Sequence, residues 1–584
     1  MIYEKYIRVL YLDLTTKKIR IEHRKDLYSY LGGVGVASKL LEENLKPELD
    51  PMDPQQPVIF AIGAASTIFP VVTKTVAMFW SPLTGELGES YAGGRMAMTL
   101  FLAGYDAIVI TGSSSKPTYI TISRNNVEFK DARAFWGLSC DEVGRVVRER
   151  EPGGGKRSII RIGPAGENLV SYACVCVDTY RHFGRLGLGA VLGSKKLKAI
   201  SIVGDRDLPI KNFKDYFKVY QEIYNKVTDT SIMSKYHDAG TPVNIEPLNA
   251  AGGLPTKNLR QNVFEHGDKI SGETFAHKNL VRKMACTGCP VGCIHIGQFR
   301  REFDKGHEYE AVSVSYDYEL LFALGSFLGI KSSDEVLQLI EVVEKLGLDA
   351  MSTGVVLGWA TEALAKNLIT LEQTLVPLAF GNTQAYITAI EYIAYKKNEF
   401  YSILAQGAEK ASEIYGGKEF AMTFGKNEMP GYHTGYGSVI GPTVGARHSH
   451  LCNGGYSIDQ SMKEFDKEKL VEKLFKEEKE RCMLNSLIIC LFARKVYDRE
   501  TILAALNSID YNLTNEDLDA IGERIYKTKL RIKKMMGYDG KNVRFPKRLF
   551  ETPSMSGQLD EKVAYELLDM YNKKVEEMMA KEDA

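Results

Sequence analysis

The chain has 584 residues, 44% hydrophobic and 25% charged, with nine cysteines and 74 basic residues balancing 74 acidic ones. That composition excludes a fibre, a coiled coil and long disorder, and the length calls for about three or four compact units. Zero net charge leaves no positive field for nucleic-acid phosphates, and an odd, sparse set of cysteines behind an N-terminus without an export signal points to reduced thiols in a cytoplasmic protein.

The first ~200 residues read as β-rich, because short buried or alternating runs are separated by glycine and proline turns. Such runs are Pro57-Val-Ile-Phe-Ala-Ile, Ala107-Ile-Val-Ile-Thr, Thr118-Tyr-Ile-Thr-Ile and Ala199-Ile-Ser-Ile-Val. After Asp205 the spacing turns helical, first over Phe213 to Val227 and then over Asp334 to Lys345. Ser332 with Glu335 fits a capping box for the second of these, and Gly347 stands where it would stop. From about Glu372 the chain stays mostly helical, ending in an amphipathic stretch from Glu561 to Lys581. No run approaches the ~18 apolar residues that span a bilayer. The expected fold class is α+β, with a β-rich domain over 1–206 and two mainly α-helical domains over 207–411 and 412–584.

The strongest local signal is Cys286-Thr-Gly-Cys289-Pro-Val-Gly-Cys293. Gly288, Pro290 and Gly292 allow a tight loop that brings three thiolates around one small centre. A [4Fe-4S] cluster needs four such thiolates, often with the fourth from far away, whereas structural zinc usually pairs two knuckles, and this chain has one. Cys174 and Cys176 face one side of an apparent strand and read as core thiols. Cys140, Cys452, Cys482 and Cys490 remain as candidates for the fourth ligand, and spacing alone does not choose among them.

A glycine-rich basic stretch runs from Arg181 to Lys198. It fits neither nucleotide motif: Leu192 stands where a dinucleotide loop needs glycine, and Ser194 separates Gly193 from Lys195. Arg181, Arg185, Lys195 and Lys196, interleaved with Gly184, Gly187, Gly189 and Gly193, nonetheless suit an anionic cofactor. The turn at Gly93-Gly94 offers a second place for close backbone approach.

These elements occur in a series that resembles the tungsten-containing aldehyde ferredoxin oxidoreductase family along essentially the whole chain. The series includes Ser81-Pro-Leu-Thr-Gly85, Ala103-Gly-Tyr-Asp-Ala-Ile, Ile162-Gly-Pro-Ala-Gly-Glu-Asn168 and Gly193-Ser-Lys-Lys-Leu-Lys-Ala-Ile200. It continues with the cysteine loop, Glu308-Tyr-Glu310, Glu344 to Asp349, Thr443 to Leu451 and the segment ending in Cys490. The resemblance implies two pterin dithiolenes chelating one tungsten or molybdenum, a magnesium ion bridging their phosphates, and one [4Fe-4S] cluster on Cys286, Cys289, Cys293 and Cys490. It places Lys74, Gly93, Gly94, Arg181 and His182 at the pterin phosphates, with Gly184 and Arg185 following. Glu344 and Asp349 would hydrogen-bond one pterin, and Asn485 with Ile489 would meet the other.

Several positions depart from the family pattern. Glu344 stands for the usual aspartate, Asn485 and Ile488 for aspartate and glycine, and Lys74 for an arginine, which keeps the charge and loses the bidentate fork. Tyr91 and His182 replace smaller residues near the magnesium. The implied reaction is aldehyde oxidation to a carboxylic acid with water as oxygen source, reversible under reducing conditions. Glu308 or Glu310 would be the base, His450 the carbonyl donor, and His448 an added pocket residue. A single cluster implies an external acceptor, ferredoxin or a ferredoxin-like subunit, and so a homo- or hetero-oligomer. The alternatives are a low-potential aromatic acyl-CoA reductase, which needs a wide basic channel, and an electron-transfer subunit that has lost its pterin.

Overall fold

A computed structural model of the chain describes residues 3–304, 306–540 and 543–581. Two six-stranded mixed sheets build the N-terminal half. Strands β1 (Ile7–Asp13), β2 (Lys18–Arg24), β3 (Val58–Ala61), β4 (Thr75–Trp80), β5 (Leu87–Ala92) and β6 (Ala107–Thr111) are ordered β2-β1-β6-β3-β4-β5. Strands β7 (Thr118–Ile122), β8 (Val127–Asp131), β9 (Arg157–Arg161), β10 (Val175–Val177), β11 (Arg181–Phe183) and β12 (Leu197–Val203) are ordered β11-β10-β9-β12-β7-β8. Every residue of β3 and β4 is buried, which is why these strands read as unbroken apolar runs, whereas edge strand β2 carries mostly exposed side chains. Edge strands β5 and β11 touch, so the two sheets meet along the line where the glycine turn and the basic stretch lie.

Helices dominate beyond residue 205, as the periodicity predicts. The helix Phe213–Thr228 and the helix Ser333–Leu346 match the expected spans. Gly347 ends the latter in the left-handed conformation at φ 74°, but Ser332 makes no side-chain capping bond, so the expected capping box does not form. A three-stranded antiparallel sheet interrupts the helices: β13 (Leu280–Met284), β14 (Ile294–Asp304) and β15 (Glu308–Tyr316).

One hydrophobic core joins the N-terminal sheets to the C-terminal helices. The helix Gly33–Asn44 packs on β3 and β4 on one side and on the helices Lys467–Leu487 and Asn515–Met535 on the other. Two glycines permit this approach. A Cβ at Gly33 would lie 2.3 Å from the Asn485 carbonyl oxygen, and one at Gly63 would lie 2.2 Å from that of Leu487. The helix Lys467–Leu487 is thereby seated directly on the N-terminal half, and Ile488 ends it in a left-handed turn at φ 63°. For a β-branched residue that conformation is strained, and glycine would adopt it freely. Buried ion pairs reinforce the junction: Lys529 to Glu89 at 2.6 Å and Lys533 to Glu86 at 2.9 Å. Among the described residues no helix is long and apolar enough to cross a membrane.

Candidate active site

A cavity of about 750 Å³ opens above the line where β5 meets β11. All three parts of the chain line it. Lys74, Gly93, Arg181, His182, Gly184 and Arg185 come from the N-terminal half, Glu319, Glu344 and Asp349 from the middle, and His450 and Arg481 from the C-terminal third.

At one end of the cavity the structure brings the cysteine loop and Cys490 together. The backbone of Val71 stitches them: its N–H donates to the Gly288 carbonyl at 3.0 Å, and its carbonyl accepts from Cys490 N–H at 3.2 Å. Thr287 N–H donates to the Gly94 carbonyl at 3.0 Å, which ties the loop to the glycine turn. Burial pushes the Cys289 thiol up to about 12, with Cys490, Cys293 and Cys286 all close enough to add to the shift. Burial also pushes Cys293 up, to about 11, against the opposing charges of Arg181 and Lys74. Lys74 is itself buried, which disfavours its charge, but Cys490, Cys286 and Cys293 more than restore it. A Cβ at Gly93 would fall 2.5 Å from Cys286 Sγ and 3.2 Å from Lys74 Nζ, so only glycine fits between β5 and the loop. The other candidates for a fourth ligand lie elsewhere: Cys482 and Cys452 adjoin each other and Lys529 or Arg447, and Cys140 forms a separate buried group with Cys174 and Cys176. Among the described residues no three His, Cys, Asp or Glu side chains stand close enough to share one metal ion. A four-iron cubane needs wider spacing, because each thiolate binds a different corner.

The cavity floor is rich in polar groups, most of them partnered. Burial, then Arg181 and Arg161, push His182 down to about 3, so its imidazole is neutral. Its Nε2 lies 3.9 Å from Glu344 Oε1. Burial raises Glu344 to about 8, so at neutral pH this carboxyl carries its proton and can donate as well as accept. Asp349 accepts from Met351 N–H at the start of its helix, from Ser352 Oγ at 2.6 Å and from Arg185 Nε at 3.1 Å. Arg185 Nη2 donates to the Glu428 carbonyl at 2.9 Å, while Nη1 is buried without a partner. Tyr91 donates its hydroxyl to Glu89 at 2.6 Å, which leaves His182 as the available donor of that pair for a cation.

Glu319 and His450 lie opposite each other in the cavity wall, with Glu319 Oε1 3.1 Å from His450 Nε2. The pair is off the line that a hydrogen bond needs, and Glu319 Oε1 and His450 Nδ1 are both buried without hydrogen-bond partners. The other oxygen of Glu319 accepts from Gly431 N–H at 3.0 Å. Asp317 caps the helix Tyr318–Leu324 through Glu319 N–H and Leu320 N–H, which fixes where Glu319 begins. His450 stands among aromatic rings, 5.5 Å from Tyr432 and 5.6 Å from Tyr456.

Five residues expected at the site lie outside it. Glu308 and Glu310 do not line the cavity, because the β14–β15 hairpin carries them into solvent, where Glu310 accepts from Arg301 Nε at 2.9 Å. His448 also lies outside the lining, buried against Glu86 at 2.9 Å and Lys533 at 3.2 Å. Asn485 and Ile489 are buried in the packing beneath Gly33 and likewise do not reach the cavity.

Two family models match the chain: "Aldehyde ferredoxin oxidoreductase, N-terminal domain" over residues 9–204 and "Aldehyde ferredoxin oxidoreductase, domains 2 & 3" over residues 218–577. The chain belongs to the aldehyde ferredoxin oxidoreductase family. The tungsten-containing aldehyde ferredoxin oxidoreductase of Thermococcus kodakarensis is 32% identical over 576 residues, covering 95% of this chain and 93% of the relative. A Pyrococcus furiosus protein described as an aliphatic sulfonate oxidoreductase, WOR-like subunit, is 30% identical over 439 residues, covering 70% of this chain and 68% of the relative. A solved active site complex BamBC of benzoyl coenzyme A reductase, bound to 1,5 dienoyl-CoA, shares the fold at a TM-score of 0.81 and 20% identity. That match covers 97% of this chain and 94% of the other.

Glu319 is the site residue that sequence reasoning missed in this family member. Its signal was present: Asp317-Tyr-Glu319 repeats, nine residues on, the acid-Tyr-acid pattern of Glu308-Tyr-Glu310. The earlier copy opens β15 and the later one follows its end, where the helix Tyr318–Leu324 starts, so the length of one strand separates a solvent carboxylate from a cavity one.

Proposed function

We propose that the chain is a tungstopterin and [4Fe-4S] oxidoreductase that oxidises aldehydes to carboxylic acids and passes electrons to ferredoxin or a ferredoxin-like subunit. One observation carries this reading. Glu319 and His450 face each other in a cavity lined by Lys74, Arg181 and Arg185, and Lys74 and Gly93 in that lining adjoin the group of four cysteines. The residues suit the cofactors. Lys74, Arg181 and Arg185 would hold pterin phosphates, Asp349 and the protonated Glu344 would accept from and donate to the pterin rings, and His182 would face the magnesium ion. Cys286, Cys289, Cys293 and Cys490, which adjoin Lys74 and Gly93, would hold the cluster and supply one-electron transfer.

Bound there, a tungsten centre supplies a two-electron acceptor and a Lewis acid for the substrate oxygen. The protein's own groups divide the remaining work. Glu319, whose Oε1 has no hydrogen-bond partner, takes a proton from the water that becomes the second carboxylate oxygen. His450 donates to the aldehyde carbonyl oxygen, and Tyr432 and Tyr456 wall the reacting carbon off from bulk water. Glu308 and Glu310 take no part.

Protein produced with tungstate and purified without oxygen tests the reading. About one tungsten and four irons per chain, with aldehyde-dependent reduction of a viologen dye, is the expected result. Four irons with neither tungsten nor molybdenum would leave an electron-transfer subunit, and viologen oxidation by an aromatic acyl-CoA without aldehyde turnover would move the chain to the reductase class.

A further inference from the structure

The mouth of the cavity is cationic, and nothing in the chemistry of aldehyde oxidation requires that. Lys235, Arg481 and Arg494 line the cavity itself. Arg481, Arg494 and Ser457 also line an adjoining groove of about 380 Å³, which continues outward past Lys473 and Lys476. Glu477 is the one acidic residue along that groove, and it is engaged by Arg481 Nε at 3.3 Å. Glu472 lies near Lys476 but pairs with Lys574 at 2.6 Å.

These cations are built in to different degrees. Arg481 is buried, with Nη1 on the Leu451 carbonyl at 2.9 Å and its other Nη against Gly454, where a Cβ would meet it at 2.2 Å. Arg494 donates to the Leu491 carbonyl at 2.8 Å, and Lys235 donates to Asn244 Oδ1 at 2.7 Å. Among the described residues neither Arg494 nor Lys235 has a carboxylate partner. Lys235 instead has Arg494 and Lys495 as charged neighbours, and this like-charge crowding adds to burial in pushing its pKa down. Cations held together without acids store repulsion that an anion would relieve. Tyr456, 5.6 Å from His450, has Arg481 and Arg494 as charged neighbours, and the stacked pair Tyr236 and Phe492, with ring centroids 4.3 Å apart, lines the same cavity. Aromatic surface therefore accompanies both the reacting group and the cations.

We propose that the substrate carries an anionic group remote from its reacting carbon, received by Arg481, Arg494 and Lys235 at the cavity mouth. The substrate class this names, a carbonyl compound with an acidic tail, rests on the oxidoreductase reading above. Two sources share the chemistry: a small carboxylated or phosphorylated aldehyde, seated at the mouth, or an acyl thioester of coenzyme A, whose phosphates would extend along the groove to Lys473 and Lys476.

Calorimetric titration of the holoenzyme with glutarate, butyrate and coenzyme A tests the subsite without any turnover. Glutarate is expected to bind about five- to tenfold more tightly than butyrate, a preference that shrinks with added salt as exposed charges are screened. The double variant Lys235→Gln with Arg494→Gln should abolish that preference while the cluster absorbance and thermal melt stay as in the parent. Coenzyme A binding that weakens in Lys473→Gln with Lys476→Gln would assign the thioester as the source, and glutarate selectivity alone would assign the small acid. Equal binding of glutarate and butyrate with no binding of coenzyme A would overturn the proposal, whether or not aldehydes are oxidised. Glutarate selectivity in a protein that oxidises no aldehyde would instead sink the oxidoreductase reading and leave the anion subsite standing.

Discussion

Replacing Glu319 by glutamine removes one charge and keeps the side chain's length, including an oxygen that can still accept from Gly431 N–H at 3.0 Å. The loop that presents the residue should therefore stay in place. Among the described residues the other cavity carboxylates are otherwise engaged, Asp349 with Arg185 and Ser352. Asp317 is committed to capping its helix, and burial pushes its pKa up, while Glu344 is protonated near neutrality. A positioned general base is worth about 10²- to 10⁴-fold. We expect kcat/KM for a small aldehyde to fall about 10³-fold, which is about 4 kcal/mol of transition-state stabilisation. The assay is anaerobic dye reduction by holoenzyme matched to the parent for metal content and visible absorbance. Glu308→Gln and Glu310→Gln, made on the exposed hairpin, should stay within about twofold of the parent. A loss of less than about fivefold in Glu319→Gln, together with a large loss in either hairpin variant, would refute the assignment of the base.

Cys490→Ser should cost the cluster's visible absorbance and iron, while Cys482→Ser, buried beside Lys529 and Glu478, should leave both intact. Gly93→Ala places a methyl group 2.5 Å from Cys286 Sγ, so iron content per chain should drop, and full iron with parent-like absorbance would count against the close approach described here. Burial would raise Glu86, but Lys533 and His448 hold it down to about 2 from its usual 4.5. Its pKa is lowered on folding, so its contribution, at most about 3 kcal/mol, is complete above about pH 4.5 and fades as the pH falls toward 2. Glu86→Gln should accordingly lower the melting temperature at neutral pH by more than it does near about pH 3. Infrared spectra at pH 7 should show protonated carboxyl absorption that Glu344→Gln reduces, leaving the share of Glu428, which burial raises to about 7, and an unchanged spectrum in the variant would place the neutral acid elsewhere.

Much of the fold was legible because it is a matter of local period. The apolar runs of β3, β6, β7 and β12 alternate or stay buried at strand length, and the helices at Phe213–Thr228 and Ser333–Leu346 repeat at helical spacing. The capping box at Ser332 was misread because a compatible pair of residues does not oblige the side chain to turn inward. His448 and Asn485 were misplaced for a related reason. His448 sits two residues from His450 and Asn485 five from Cys490, yet so short a stretch of turning backbone is enough to send neighbouring side chains to different surroundings.

By itself the sequence determined the ligand types and their close spacing. Three thiols in an eight-residue glycine loop must converge wherever that loop is placed, whereas the basic glycine stretch folds in part into a buried helix, Leu188–Ser194, and turns Lys195 onto the Pro54 and Gln56 carbonyls, away from the cavity. Only the tertiary structure decided which distant group completes each set. Val71 bridges Gly288 and Cys490 across more than 400 residues of chain order, measured from Val71 to Cys490, through two backbone hydrogen bonds. The same packing brings Glu319, rather than the equally acidic hairpin residues, opposite His450. A side chain's chemistry is local, but its burial and its partner are set by elements that arrive from elsewhere in the chain.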